Sequence, residues 1–445
     1  MREGYTEKRY VPNAKEMSER RVYSGFFFAI FGLYLFVRPL YKHREYVYNW
    51  DRLNITMLVV LVVGSLLLVY LAFNASRHSR VWRIDRKLVL PLVTLVSVIA
   101  IQIIQTPHVL SYVALDIYLI VISSTIVGYG AFFIAGLIAV YAFDFRWIVD
   151  SFKLMWFVFT GVVLLNAFGD GGGAFRISSK YGVYLMMADS YAILSLLALS
   201  QIKGRVVKSS VFVAASIALI ALMSRTSLYL FVVIGLVYLA ATVKNKKIAV
   251  AMAIGLGSLV ILLNSILGSG ERSGTSIDIE EYGVEHRMVR VLLGEEDVSI
   301  KRREEMLNDG LESIRGNWLF GEFMGEIIGS RGQRGMYIHN ILSYWRQYGI
   351  VVFFLFSGSL LYYYVKFLMV LANKKGSVGG YYTFLALYSS YCVLALLFSR
   401  SYMEAFPWFC ISALPLAVGS LKTGQPFGVK LRSSRTLKRR RALGA

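Results

Sequence analysis

Three residues far apart in the chain are of types that could do chemistry together: Arg225, Arg303 and His339. Arg225 lies in Ser224-Arg225-Thr226-Ser227, a short polar turn between two apolar runs. An arginine at membrane depth needs a partner, so it either binds an anion or snorkels to mark the membrane boundary, and spacing leaves both open. Arg303 stands among Lys301, Arg302, Glu304 and Glu305, where a solvated helix face is the favoured reading. His339, in Tyr337-Ile338-His339-Asn340-Ile341-Leu342, opens an apolar run and is one of only five histidines. An imidazole there suits either a general base near neutral pH or a hydrogen-bonded interfacial residue.

Fainter signals surround these. Arg400 stands in Ser399-Arg400-Ser401, and Arg176 and Lys180 follow the glycine-rich stretch Gly169-Asp170-Gly171-Gly172-Gly173, which reads first as a flexible polar turn. The acidic groups Asp278-Ile279-Glu280-Glu281 and Glu295-Glu296-Asp297 lack the loop pattern of a calcium site. A Cys/His cluster and a phosphate-cradling P-loop are both missing from the sequence, so no metal, no cofactor and no nucleotide hydrolysis are expected. Cys392 and Cys410 lie in apolar runs as small buried hydrophobes, with no disulfide assigned.

The elements that must position these residues are membrane spans. The 445-residue chain is 56% hydrophobic and only 17% charged, too apolar for a soluble surface. A spanning helix takes roughly 20 mostly apolar residues, and such runs recur along the whole chain. Hydropathy predicts an all-α polytopic integral membrane protein of about twelve transmembrane helices with a long, partly helical external loop. The spans fall near 22–40, 55–74, 88–105, 113–143, 154–168, 181–199, 211–224, 227–243, 248–267, 348–372, 380–398 and 405–421. The stretch 109–143 reads as one long helix, because two short passes would put later loops on the wrong sides. The first apolar run lacks a small-residue cleavage site and is expected to be retained.

Charge sets the orientation. Alternate connections, with both termini among them, hold 29 of the 48 Lys and Arg, which assigns that face to the cytoplasm. Residues 1–21 form the cytoplasmic start, 22–267 nine spans, 268–336 the large outer loop, 337–421 three spans, and 422–445 a basic tail. The outer loop has nine Lys or Arg against fourteen Asp or Glu. In it Ile300, Met306, Leu307, Leu311 and Ile314 recur at helical spacing, the pattern of an amphipathic helix at the membrane boundary. The net charge of +21 is explained by membrane placement, and Lys438-Arg439-Arg440-Arg441 reads as a tail near anionic lipid heads, so no nucleic acid partner is expected.

The stretch from Ser299 to Gly349 resembles the signature region of the bacterial O-antigen ligase and polymerase superfamily. The residues that carry the likeness are Arg303, Leu307, Leu311, Trp318-Leu319-Phe320-Gly321, His339-Asn340 and Tyr348-Gly349-Ile350, with the Ser224-Arg225 turn similar to the family's arginine at the outer end of a middle span. Two places depart from it: Leu307 stands where the family often has an aromatic residue, and Trp318 where it often has proline.

The resemblance implies glycosyl transfer on the periplasmic face of the bacterial inner membrane, from an undecaprenyl-diphosphate-linked oligosaccharide donor to an acceptor hydroxyl. Arg225, Arg303 and Arg400 would bind the diphosphate, His339 would act as base, and Asn340 and Arg176 would contact substrate. Membrane lipids and a chain-length regulator protein would be further partners. A polymerase joins one lipid-linked unit to another and is the favoured activity. A ligase, acting on lipid A-core or protein, is the alternative within the family. A flippase is the alternative of another class, disfavoured because most charges lie at span ends, whereas transporters place ionisable groups near the midplane.

Overall fold

The computed structural model describes residues 14–37, 86–168, 183–222, 224–242, 298–329, 338, 340–374, 378–401 and 404–423. Among them the chain is all-helical. The helices are α1 (Ala14–Gly32, extended by a π-helical turn Leu33–Val37), α2 (Val89–Leu110), α3 (Leu115–Ile122), α4 (Gly128–Ala142), α5 (Arg146–Phe168), α6 (Val183–Gln201), α7 (Arg205–Ala221) and α8 (Arg225–Thr242). They continue as α9 (Val298–Gly316), α10 (Gly325–Gly329), α11 (Leu342–Ala372), α12 (Gly380–Phe398) and α13 (Phe406–Thr423). The expected spans 55–74 and 248–267 lie outside the described residues.

Among the described residues five helices are long and apolar enough to cross a bilayer, Arg86–Leu110, Thr125–Ala142, Arg146–Leu165, Leu342–Ala372 and Gly380–Phe398, as expected of a helical membrane protein. Between α3 and α4 a π-helical turn, Ser123–Val127, keeps the path continuous, so the stretch over 113–143 is one run. The surface is inverted relative to a soluble protein. Val96, Ile104, Phe157, Leu165, Val237 and Phe354 are exposed on α2, α5, α8 and α11, while the polar Gln102, Thr125 and Asp189 are buried inside the bundle.

Side-chain bonds define the two ends of the bundle. At one end Arg20 pairs with Asp144 at 2.8 Å, Gln201 Nε2 donates to Gly380 O at 2.9 Å, and Tyr363 OH donates to Lys87 O at 3.1 Å. All of these except Tyr363, which lies within α11, belong to or lie next to connections rich in basic residues. Antiparallel pairs then carry the helices to the opposite end. Trp156 bonds Ser195 and Thr160 bonds Tyr191 between α5 and α6, while Gln102 bonds Tyr348 between α2 and α11. That opposite end therefore holds the starts of α6, α8, α11 and α13 and the ends of α2 and α12.

Close packing of α4 on α13 runs down the middle. Ser412 Oγ donates to Phe133 O at 2.7 Å, and a Cβ on Gly136 would run into Ser412 and the Phe409 carbonyl. Small residues at a membrane helix interface allow this approach, where dispersion replaces the hydrophobic effect as the glue. Gly136→Val should force the two helices apart and cost about 1–3 kcal/mol, the usual scale of overpacking. Lower thermal stability of the purified protein in detergent is the expected reading.

Candidate functional site

At the non-basic end, α6, α8 and the α12–α13 turn meet through a buried carboxylate. Asp189 is 1% exposed and sits on α6, a helix of apolar and uncharged polar residues apart from it. Arg400 forks onto it, Nε to Oδ2 at 2.6 Å and Nη2 to Oδ1 at 2.8 Å. Ser227 Oγ and Tyr391 OH also donate to Oδ1, each at 2.6 Å. Three of these donors fall on Oδ1 and one on Oδ2, as an ionised carboxylate can accept.

The proton inventory fixes the direction of the chain of bonds. Because the Ser227 hydroxyl proton goes to Asp189, Ser227 must accept in its 2.7 Å contact with Ser224, and it also accepts from Arg400 Nη2 at 3.1 Å. Arg400 Nη1 reaches Ser399 O and Oγ at 3.2 and 3.3 Å. Every nitrogen of this guanidinium is thus engaged within the protein. Burial lowers the pKa of Arg400, but the Asp189 charge and its hydrogen bonds outweigh that and raise it above the ordinary arginine value.

Arg400 therefore differs from the sequence expectation of a diphosphate ligand: its fork belongs to Asp189. Arg225 opens α8 between Ser224 and Ser227, both buried and both in this network. Sequence reading overlooked Asp189, Tyr391 and Ser227. The available signal was a lone aspartate inside an apolar run, which by itself marks a functional or paired site.

A second assembly at the same end is built from the segment around α9. After α9 the chain turns at Asn317–Gly321 and docks on the start of α11. Ile350 N donates to Trp318 O at 3.0 Å, Glu322 N to Arg346 O at 2.7 Å, and Trp345 Nε1 to Trp318 O at 2.9 Å. Gln105 at the end of α2 clamps the turn from the other side. Its Oε1 accepts from Phe323 N at 2.6 Å, and its Nε2 donates to Phe320 O at 3.2 Å. Gln347 accepts from Met324 N at 2.7 Å and donates to the buried carboxylate of Glu326.

This docking requires two glycines. Gly349 breaks α11 with φ 76°, and Gly321 has φ 69°. Each backbone lies against the other, so a Cβ on Gly349 would enter the Leu319 carbonyl and one on Gly321 would enter the backbone at Tyr348–Gly349. Both the turn and the break are possible only where no side chain intervenes. The sequence segments Trp318-Leu319-Phe320-Gly321 and Tyr348-Gly349-Ile350 thus meet in space.

Arg303 lies on α9, as expected of a loop helix, but the buried face differs from the expected one. Met306 and Ile314 are buried, Leu311 is exposed, and Gly310 packs under the side chain of Ile338. The stripe is Met306, Gly310 and Ile314, because Ile338 needs the space that Gly310 leaves. Arg303 is one turn before Met306, and about 10 Å along the helix axis separates it from Gly310. Asn340 caps the start of α11, its Oδ1 accepting from Leu342 N at 2.9 Å, so part of its side chain is committed to the helix. His339, between Ile338 and Asn340, lies outside the described residues, as do Arg176 and Lys180.

No protein-family model and no curated protein matches this chain. Gly349→Ala combines a left-handed backbone with a collision and should cost about 3 kcal/mol or more. The expected result is earlier unfolding in detergent together with faster proteolysis within 317–329, while a wild-type melting curve would count against the docked turn.

Proposed function

We propose that this protein is a membrane glycosyltransferase that extends a polysaccharide, transferring a glycan from undecaprenyl diphosphate to the acceptor sugar of a second lipid-linked unit. One observation supports this reading above the rest: the helix opened by Arg225, the loop helix bearing Arg303 and the residues flanking His339 all belong to the end of the bundle away from its basic connections. With about twelve spans and the basic end in the cytoplasm, this end is the periplasmic one.

In the proposed reaction the acceptor hydroxyl attacks the anomeric carbon of the donor glycan. A new carbon–oxygen bond forms as the bond to the diphosphate oxygen breaks, and the departing undecaprenyl diphosphate takes the electron pair. Arg225 and Arg303 bind the phosphate oxygens, where a fixed bidentate charge meets the charge that grows on the leaving group. The acceptor proton passes to His339, an imidazole being a side chain suited to act as base near neutral pH. The diphosphate already activates the donor, so the scheme needs no nucleotide.

A transporter reading gains one feature, an ionisable residue inside a span at Asp189. That carboxylate takes four donors and is neutralised by Arg400, so its charge is held in an internal ion pair. The enzyme reading is therefore preferred. Transfer to lipid A-core, a ligase activity, is the alternative chemistry at the same site.

Single replacement of Arg225, Arg303 or His339 by alanine, at matched membrane abundance, should shorten or abolish the glycan ladder. Loss of one charge-stabilising donor corresponds to about 10²–10³ in turnover. Wild-type ladders from all three variants would remove the proposed site. In a null strain, core carrying one repeat unit indicates polymerase, and bare core indicates ligase.

A further inference from the structure

A buried ion pair is weak evidence for stability, because well-packed apolar residues of similar volume often serve as well. Where Asp189 and Arg400 act is more informative than how strongly they bind. Their bonds end on Ser227, and through it on Ser224, the two buried serines that bracket Arg225. The first turn of α8 has no acidic residue of its own. Hydrogen bonds from Ser227 to Asp189 and from Arg400 to Ser227 link it to α6 and to the α12–α13 turn.

The charge balance matters as much as the geometry. An unpaired carboxylate bonded to Ser227 would repel any anion approaching Arg225. Arg400 cancels that charge with a fork that fits a carboxylate and holds its direction. The network then presents a rigid and nearly neutral floor to the turn that carries Arg225.

We infer that Asp189 and Arg400 are positioning residues that fix the Arg225 turn for a diphosphate ligand, with Arg400 masking the Asp189 charge from that ligand. The inference rests on the reading of Arg225 as a diphosphate-binding residue. It assigns Arg400 a role through Arg225 instead of direct contact.

The test is binding of undecaprenyl diphosphate to the full-length protein in detergent micelles, compared at matched thermal stability. Arg400→Gln exposes the Asp189 charge and should weaken binding at least tenfold. Asp189→Asn with Arg400→Gln removes both charges, keeps hydrogen-bonding groups in place, and should restore most of that loss. Wild-type affinity in Arg400→Gln, or no recovery in the double variant, would overturn the inference. If Arg400→Gln cannot be purified folded, Ser227→Ala breaks the link without altering charge. It should weaken binding severalfold, and wild-type affinity there would equally sink the idea. Arg225→Ala separates the two levels of the argument. Unchanged binding in that variant removes the diphosphate reading itself, whereas loss there with wild-type affinity in Arg400→Gln removes only the positioning role.

Discussion

A charge buried among membrane helices has to be neutralised where it lies, and Asp189 is the place where this molecule meets that constraint. The cost of removing a carboxylate from water is several kcal/mol even after relaxation, and it is recovered only through good geometry and complete hydrogen bonding. Arg400 supplies the countercharge while Ser227 and Tyr391 supply the remaining donors. Since these four residues come from α6, α8, α12 and the turn before α13, satisfying one carboxylate fixes the mutual placement of those elements.

The segment between α9 and α11 obeys a different constraint with a similar outcome. Its turn at Trp318–Gly321 is held by backbone groups against the break in α11, and by the Gln105 and Gln347 side chains. Buried backbone donors and acceptors must find partners, and this irregular segment finds them in the backbone around the α11 break and in two side-chain amides. Gly321 and Gly349 supply that backbone at contact distance. Loop helix α9, tied to α11 by Ser313 and Arg346, is thereby placed at the same end as the Arg225 turn.

Much of the architecture was legible from pattern alone. Apolar runs of spanning length located the described membrane helices, with the starts of α1, α5, α7 and α11 six to eight residues earlier than expected, and the loop helix over 299–314 appears as α9. Periodicity was a poorer guide to the inward face of that helix, since Gly310 contributes no hydrophobicity yet is the position that accepts Ile338. Arg400 stood out by type, but its partner did not, because a lone aspartate in an apolar run carries no mark of which distant cation will reach it. Asn340 was expected at substrate, whereas its oxygen caps α11, a local use that a helix start always competes for.

Composition, hydropathy and the uneven distribution of Lys and Arg by themselves determine that this chain is a helical membrane protein with a basic end and a long acidic loop. Those properties follow from transfer energies of individual residues, which depend little on neighbours far along the chain. The tertiary structure alone decided that Arg400 belongs to Asp189, that the Arg225 turn rests on that pair through Ser227, and that two glycines let the loop dock on α11. Such pairings depend on distance and direction in three dimensions, and residue types at separations like that of 189 and 400 hold no record of either.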